Sequence, residues 1–181
     1  MSKTKKDTSH PNSNENIESF FENQLERVNS WLTFAEAKNG ALIAVNSGII
    51  AVFHEIGEQL AILRAILLVM FVISSIICAI SFIPNLSTQI GRSKKAKAVH
   101  FKPNLLYFGD IDKIGKADQY LQCVRNSYFP GERVESKLIE DYADEIVINS
   151  RLTVQKYQLF KCAVVVDILA FAIVIALIVI A

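Results

Sequence analysis

The last twenty residues constrain this chain most. Cys162 to Ala181, CAVVVDILAFAIVIALIVIA, contain a single charged side chain, Asp167. Twenty helical residues rise about 30 Å, the thickness of the hydrocarbon core of a bilayer. A second block, Leu60 to Ile83, has Arg64 as its only charge and ends at Pro84-Asn85. It too is long enough to span. A third, Gly40 to Phe53, has fourteen residues with Asn46 and Ser47 inside it. Alone, such a segment could be a buried helix of a soluble protein. The uncharged stretch from Asn39 to Phe53, and the span that follows a few residues later, favour a membrane crossing. Residues 54–59 then read as the tight turn of a transmembrane hairpin. The composition agrees. Hydrophobic residues make up 51% of the 181, and they sit in a few blocks rather than spread through a globular core. A formal net charge of +1 excludes a globally basic nucleic-acid binder.

The expected class is therefore an all-α membrane protein with three transmembrane helices, at 40–56, 60–84 and 162–181. The polar first residues and the late start of the first apolar block exclude a secretory signal peptide. Lysine and arginine set the orientation. The turn 54–59 has none, the N-terminal segment has Lys3, Lys5, Lys6, Arg27 and Lys38, and Asn85 to Lys161 have thirteen. Both basic segments are expected in the cytoplasm and the C-terminus in the periplasm. Without a first span the two basic segments would fall on opposite sides.

Residues 1–14 are expected to be disordered. From Glu15 to Asn39 there is no Gly or Pro, and Ile17, Phe21, Val28, Leu32 and Ala35 recur with helical spacing. This cytoplasmic helix, 15–39, should run into the first span. Glu132 to Ala181 again lack Gly and Pro, and fifty helical residues would reach about 75 Å. The two long helices should extend from the membrane and pack as a cytoplasmic helical stalk. The rest of the cytoplasmic part, 85–161, holds a small irregular sensor segment between His100 and Gly131. Within it Lys116–Asn126 reads as a short helix. Asn104 to Asp110, NLLYFGD, reads as extended, ending in a Gly-Asp turn.

No catalytic set emerges: there is no GxSxG, Walker loop, GxGxxG or HExxH, so a non-enzyme is expected. Three scattered cysteines and three separated histidines give no disulfide framework and no metal signature, and no cofactor is expected. The acid pairs Glu140-Asp141 and Asp144-Glu145 read as a solvated helix face. The basic run Arg92 to Lys97 reads as a topology determinant touching anionic lipid. Polar residues inside the spans stand out: Asn46, Ser47, Arg64 and Asp167. Arg64, near the outer end of the second span, can snorkel, and Asp167, about one and a half turns into the third from the inner side, is within reach of an interface. Such residues are costly in hydrocarbon unless paired, so they have either a functional role or an interhelical hydrogen bond that holds a bundle or an oligomer. The sensor segment offers a candidate small-molecule site at Lys102, Asn104, Tyr107, Phe108, Asp110, Lys113 and Lys116. Its two rings could stack a base and its lysines could meet a phosphate. Alternatively, Leu105 to Phe108 only pack this loop on the stalk.

Three segments carry a family resemblance. They are Trp31 to Asn46 (WLTFAEAKNGALIAVN), Asn104 to Asp110, and Asp141 to Tyr157 (DYADEIVINSRLTVQKY) leading into the last span. They resemble the transmembrane effectors of the bacterial Pycsar antiphage system, over nearly the whole chain from about residue 20. The resemblance implies a partner pyrimidine cyclase that makes cyclic CMP or cyclic UMP on infection. The effector would sense that messenger and impair the inner membrane, so that the cell dies before phage spreads. A homo-oligomer in the lipid bilayer is the expected working form. The alternative is a constitutive scaffolding membrane protein without a nucleotide ligand.

Overall fold

The computed structural model describes residues 13–54, 61–83, 102–131 and 136–180. Residues 1–12, almost all of the 54–59 turn and the basic run Arg92–Lys97 lie outside the described residues. Every described element is a helix: α1 (Ser13–His54), α2 (Ala61–Ile80), α3 (Phe108–Ile114), α4 (Ala117–Tyr128) and α5 (Lys137–Ile180). α1 runs 42 residues without a break through Gly40 and Gly48, and α5 runs 44. The helix expected at 15–39 is thus continuous with the apolar block that follows it, and α5 covers Lys137–Ile180 of the fifty residues expected as one helix. α2 ends at Ile80, and Ser81 and Phe82 close its last turn onto the carbonyls of Cys78 and Ala79.

Two of these helices are long and apolar enough to cross a membrane, Ala61–Ile80 and the stretch Lys137–Ala176 of α5. α1 is not among them, because its apolar part is short and carries Asn46 and Ser47.

The short helices correct one local expectation. In NLLYFGD, Leu105 and Leu106 form a turn and Tyr107 is extended, at φ −101° and ψ 121°. Gly109 and Asp110 do not form a turn but lie in the first turn of α3. The reason is an Asx-type closure: Asn104 Oδ1 accepts from the Leu106 amide at 3.0 Å, and the Asp110 carboxylate accepts from the Asn104 amide at 3.1 Å. The turn lies at 104–106, upstream of the glycine. α3 stops at Gly115, whose φ of 77° is left-handed and suits glycine.

The chain divides into two compact units. The first holds Met1–Asn29 and Ile90–Arg151. Its core takes Ile17, Phe21 and Val28 from α1, Leu105 and Ile111 from the sensor segment, Tyr120 and Val124 from α4, and Ile139, Ala143, Ile146 and Val147 from α5. Of the α1 stripe read from the sequence, Ile17, Phe21 and Val28 lie in this core, whereas Ala35 is buried in the second unit. The second unit holds Ser30–Gln89 and Leu152–Ala181. Its apolar cluster joins Leu67 and Phe71 of α2 to Ala170 of α5, with Ile49 and Ile50 of α1 packed against it. Outward-facing side chains of this unit are also apolar. Ile62 is 82% exposed and Ile175 61%. Such a surface is costly in water and suits a hydrocarbon solvent.

Candidate functional site

In the first unit, the loop before α3 is held by two buried polar side chains from two helices. Tyr120 of α4 is fully buried and donates its hydroxyl to the Leu105 carbonyl at 3.1 Å. Gln24 of α1, 1% exposed, donates from Nε2 to the Leu106 carbonyl at 3.2 Å. Two consecutive backbone acceptors are therefore fixed just before Tyr107. Burial pushes the Tyr120 phenol well above its ordinary value, so it stays a donor at physiological pH.

Tyr107 and Phe108, read together as a stacking pair, part ways here. Phe108 is buried in the unit, whereas Tyr107 is 46% exposed. Their ring centroids lie 4.6 Å apart. Gly109 makes room for the tyrosine, since a Cβ there would sit 2.7 Å from the Tyr107 ring. The Tyr107 ring is thus half-exposed and backed by Phe108.

The polar members of the candidate set divide as well. Asn104, Asp110 and Lys113 are bonded to one another, with Lys113 Nζ 2.8 Å from Asp110 Oδ1. Lys102 and Lys116 are exposed and take no part in these bonds. Burial raises the Asp110 pKa, but hydrogen bonds from Lys113 and the Asn104 amide outweigh it and leave the carboxyl below its ordinary 3.8. The sign of the linkage follows. A depressed folded-state value stabilises the loop in full above about pH 3.8, and that stability is lost as pH falls through the depressed value. Thermal melting against pH should show an acid-side loss that Asp110→Asn removes. An identical acid limb in that variant would overturn the assignment.

At the other end of α3, Arg151 of α5 donates from Nη2 to the Gly115 carbonyl at 3.0 Å, and its Nε lies 3.4 Å from Asp112 Oδ1. The guanidinium therefore ties α3 and its C-cap to α5, which continues beyond it as the last apolar helix.

The second unit contains a buried polar cluster. Asn46 Nδ2 donates to Ser74 Oγ at 3.0 Å and to the Asp167 carboxylate at 3.3–3.4 Å. Ser74 Oγ donates in turn to the Ala163 carbonyl at 3.2 Å. One side chain from α1, one from α2 and one from α5 meet, and both amide hydrogens of Asn46 are used. All three residues are 5% exposed or less. Asn46 and Asp167 stand out in the sequence because they interrupt apolar runs. Ser74 does not, although the spacing Leu67, Phe71, Ser74, Cys78 places it on the buried face of α2. Ser47 is exposed, bonds back to the Ile43 carbonyl at 2.8 Å and lies outside the cluster. Arg64 sits in the first turn of α2, more than two turns from Ser74. Among the described residues, no group of acidic, His and Cys side chains could hold a metal ion.

Nearer the polar end of this unit, Lys156 of α5 donates to the Ser81 carbonyl at 2.6 Å and pairs with Glu36 at 3.0 Å. A cation at these last carbonyls closes the C-terminus of α2.

Comparison with known proteins gives a consistent result. The family model PycTM, the Pycsar effector protein domain, matches residues 20–181. The Pycsar effector protein RsPycTM of a Rhizobium species is 32% identical over 150 residues, which cover 77% of this chain and 82% of that protein. No solved structure matches the chain.

Proposed function

Because the chain belongs to the Pycsar effector family of antiphage defence proteins, we propose that it senses a cyclic pyrimidine nucleotide, cyclic CMP or cyclic UMP, and answers by impairing the bacterial inner membrane. Family membership itself implies a cyclic-nucleotide signal from a partner cyclase. The chain would act by rearrangement rather than by catalysis. The nucleotide would dock at the sensor segment, with Tyr107 stacking the base and exposed lysines meeting the phosphate. Three spans, an N-terminus and segment 85–161 in the cytoplasm, and association of several copies complete the proposal.

The observation that carries the membrane part is the Asn46–Ser74–Asp167 cluster. It joins the short apolar part of α1 to the two strongly apolar helices, at Ser74 in the second half of α2 and at Asp167, six residues into the last apolar block. A polar residue at that depth is stable in hydrocarbon only when such partners satisfy it. With α1 as a third span, the basic segments on either side of the hairpin share one face of the membrane. A ligand shifts a conformational equilibrium only through its differential affinity for two states. The pinned loop and the Arg151 tie to α5 supply a physical route for that difference.

The test is dye entry into cells shown to contain the protein, with and without cyclic CMP or cyclic UMP supplied by a co-expressed cyclase. Dye should enter only when the nucleotide is present. Impermeable cells with either nucleotide would overturn the proposal. Leakage independent of any nucleotide would leave the membrane part and remove the sensing part.

A further inference from the structure

Lys38 of α1 has three aromatic rings around its ammonium group. Its Nζ lies 4.7 Å from the centroid of Phe34, 5.3 Å from Tyr157 and 5.7 Å from Phe160. The first ring is on α1 and the other two are on α5, all within the second unit. Among the described residues, Lys38 forms no ion pair; the neighbouring Glu36 is taken by Lys156. The side chain is half-buried, so the charge is neither fully hydrated nor neutralised. Ring faces attract a cation but do not balance its charge.

The level of this group along the helices is fixed by its neighbours. Asn39 donates to the Lys156 carbonyl at 3.3 Å, and Lys156 reaches the Ser81 carbonyl just past the end of α2. A Cβ at Gly40 would lie 3.8 Å from the Phe82 ring. Lys38 therefore stands where the apolar run of α2 stops. On the membrane reading, that level is the cytoplasmic boundary of the hydrocarbon. Aromatic rings with a basic residue are the composition favoured there, and the anion abundant at that depth is phospholipid phosphate.

We propose that Lys38, framed by Phe34, Tyr157 and Phe160, is a binding site for the phosphate of an anionic phospholipid headgroup. The ammonium meets the phosphate, and the rings bracket the headgroup and the first carbons of its chains. The proposal rests on the membrane reading but not on nucleotide sensing.

The test uses the full chain purified in mild detergent, titrated with phosphatidylglycerol and followed by native mass spectrometry. The wild type should retain lipid, and Lys38→Gln should bind it about fivefold more weakly, the effect of one lysine at an anionic surface. Lys38→Arg should retain it, since the charge and the ring contacts persist. Lys161→Gln is the control for general attraction, because Lys161 is exposed on the same helix as Tyr157 and Phe160. Equal losses in Lys38→Gln and Lys161→Gln, with unchanged helical content, would overturn the site. Displacement of the lipid by excess inorganic phosphate would assign the anion to solution and overturn the lipid assignment. No lipid on any variant, wild type included, would count against both this site and the membrane reading. Dye entry driven by nucleotide in the same wild-type protein would confine that failure to the site.

Discussion

Asn46→Leu should destabilise the second unit by about 3 kcal/mol, and adding Asp167→Leu should restore most of that loss. A hydrogen bond between membrane helices is typically worth only about 0.6 kcal/mol. The cluster differs because its acceptor is a carboxylate. Replacing Asn46 removes both amide hydrogens at once, one serving Ser74 and one serving Asp167. Ser74 keeps its own donation to the Ala163 carbonyl, so its loss is the smaller part. Asp167 is left in an apolar setting without its donor. An acid at the centre of a span costs about 2.5–3.5 kcal/mol and one at the level of Asp167, six residues into the last block, somewhat less, but stranding one member of a buried pair costs more than never having had the pair. Removing the acid as well deletes the stranded group. Unfolding in mixed detergent micelles would read both variants against the wild type. A double variant as unstable as Asn46→Leu would show that the two side chains are not coupled. The double variant then serves a second purpose. If it is stable and leaks normally with nucleotide, the cluster only holds the helices together; if it is stable and silent, the polar contact is part of the rearrangement.

The same cluster shows what can be read from the chain and what cannot. Asn46 and Asp167 are legible because polar residues in apolar runs are conspicuous and expensive. That they meet each other is not legible. Nothing in the sequence fixes the register of α1 against α5, and Ser74 is not distinguished there from the adjacent Ser75. The long helices are legible from the absence of Pro and from the helical spacing of their apolar faces, Ile17 to Val28 and Ile139 to Val147. The sensor segment is less so. Its turn is closed by Asn104 and Asp110, and its carbonyls are held by Gln24 and Tyr120. Gln24 lies 82 residues from its acceptor, and such long-range polar contacts leave no periodic trace. Tyr107 and Phe108 carry equal weight in the sequence for the same reason: adjacent aromatic residues look alike until a core takes one of them.

Tyr107→Ala should raise the nucleotide concentration needed for half-maximal leakage by about 5- to 150-fold, the loss of one base–aromatic stacking contact of about 1–3 kcal/mol. The effect is large because the ring is already in place. The carbonyls before it are fixed, α3 begins after it, Phe108 supports one side, and the space over Gly109 accepts its edge. A ring so held loses little freedom on stacking, and the contact contributes nearly its full value. Tyr107→Phe should stay close to the wild type, since the π-face is unchanged. Phe108→Ala is the less informative change. That ring is buried, and its removal should destabilise the first unit by about 3–5 kcal/mol, so lost leakage would report unfolding. Gly109→Ala separates the two effects. Its new methyl would sit 2.7 Å from the Tyr107 ring, and the exposed ring can swing away from it. Stability should stay within about 0.5 kcal/mol, because alanine suits a helix better than glycine does. The response should nonetheless weaken in the same direction as in Tyr107→Ala. Full response from Tyr107→Ala, at wild-type protein level and melting temperature, would remove Tyr107 from the nucleotide site. A weakened Tyr107→Ala beside an unaffected Gly109→Ala would show that the ring matters but its fixed position does not.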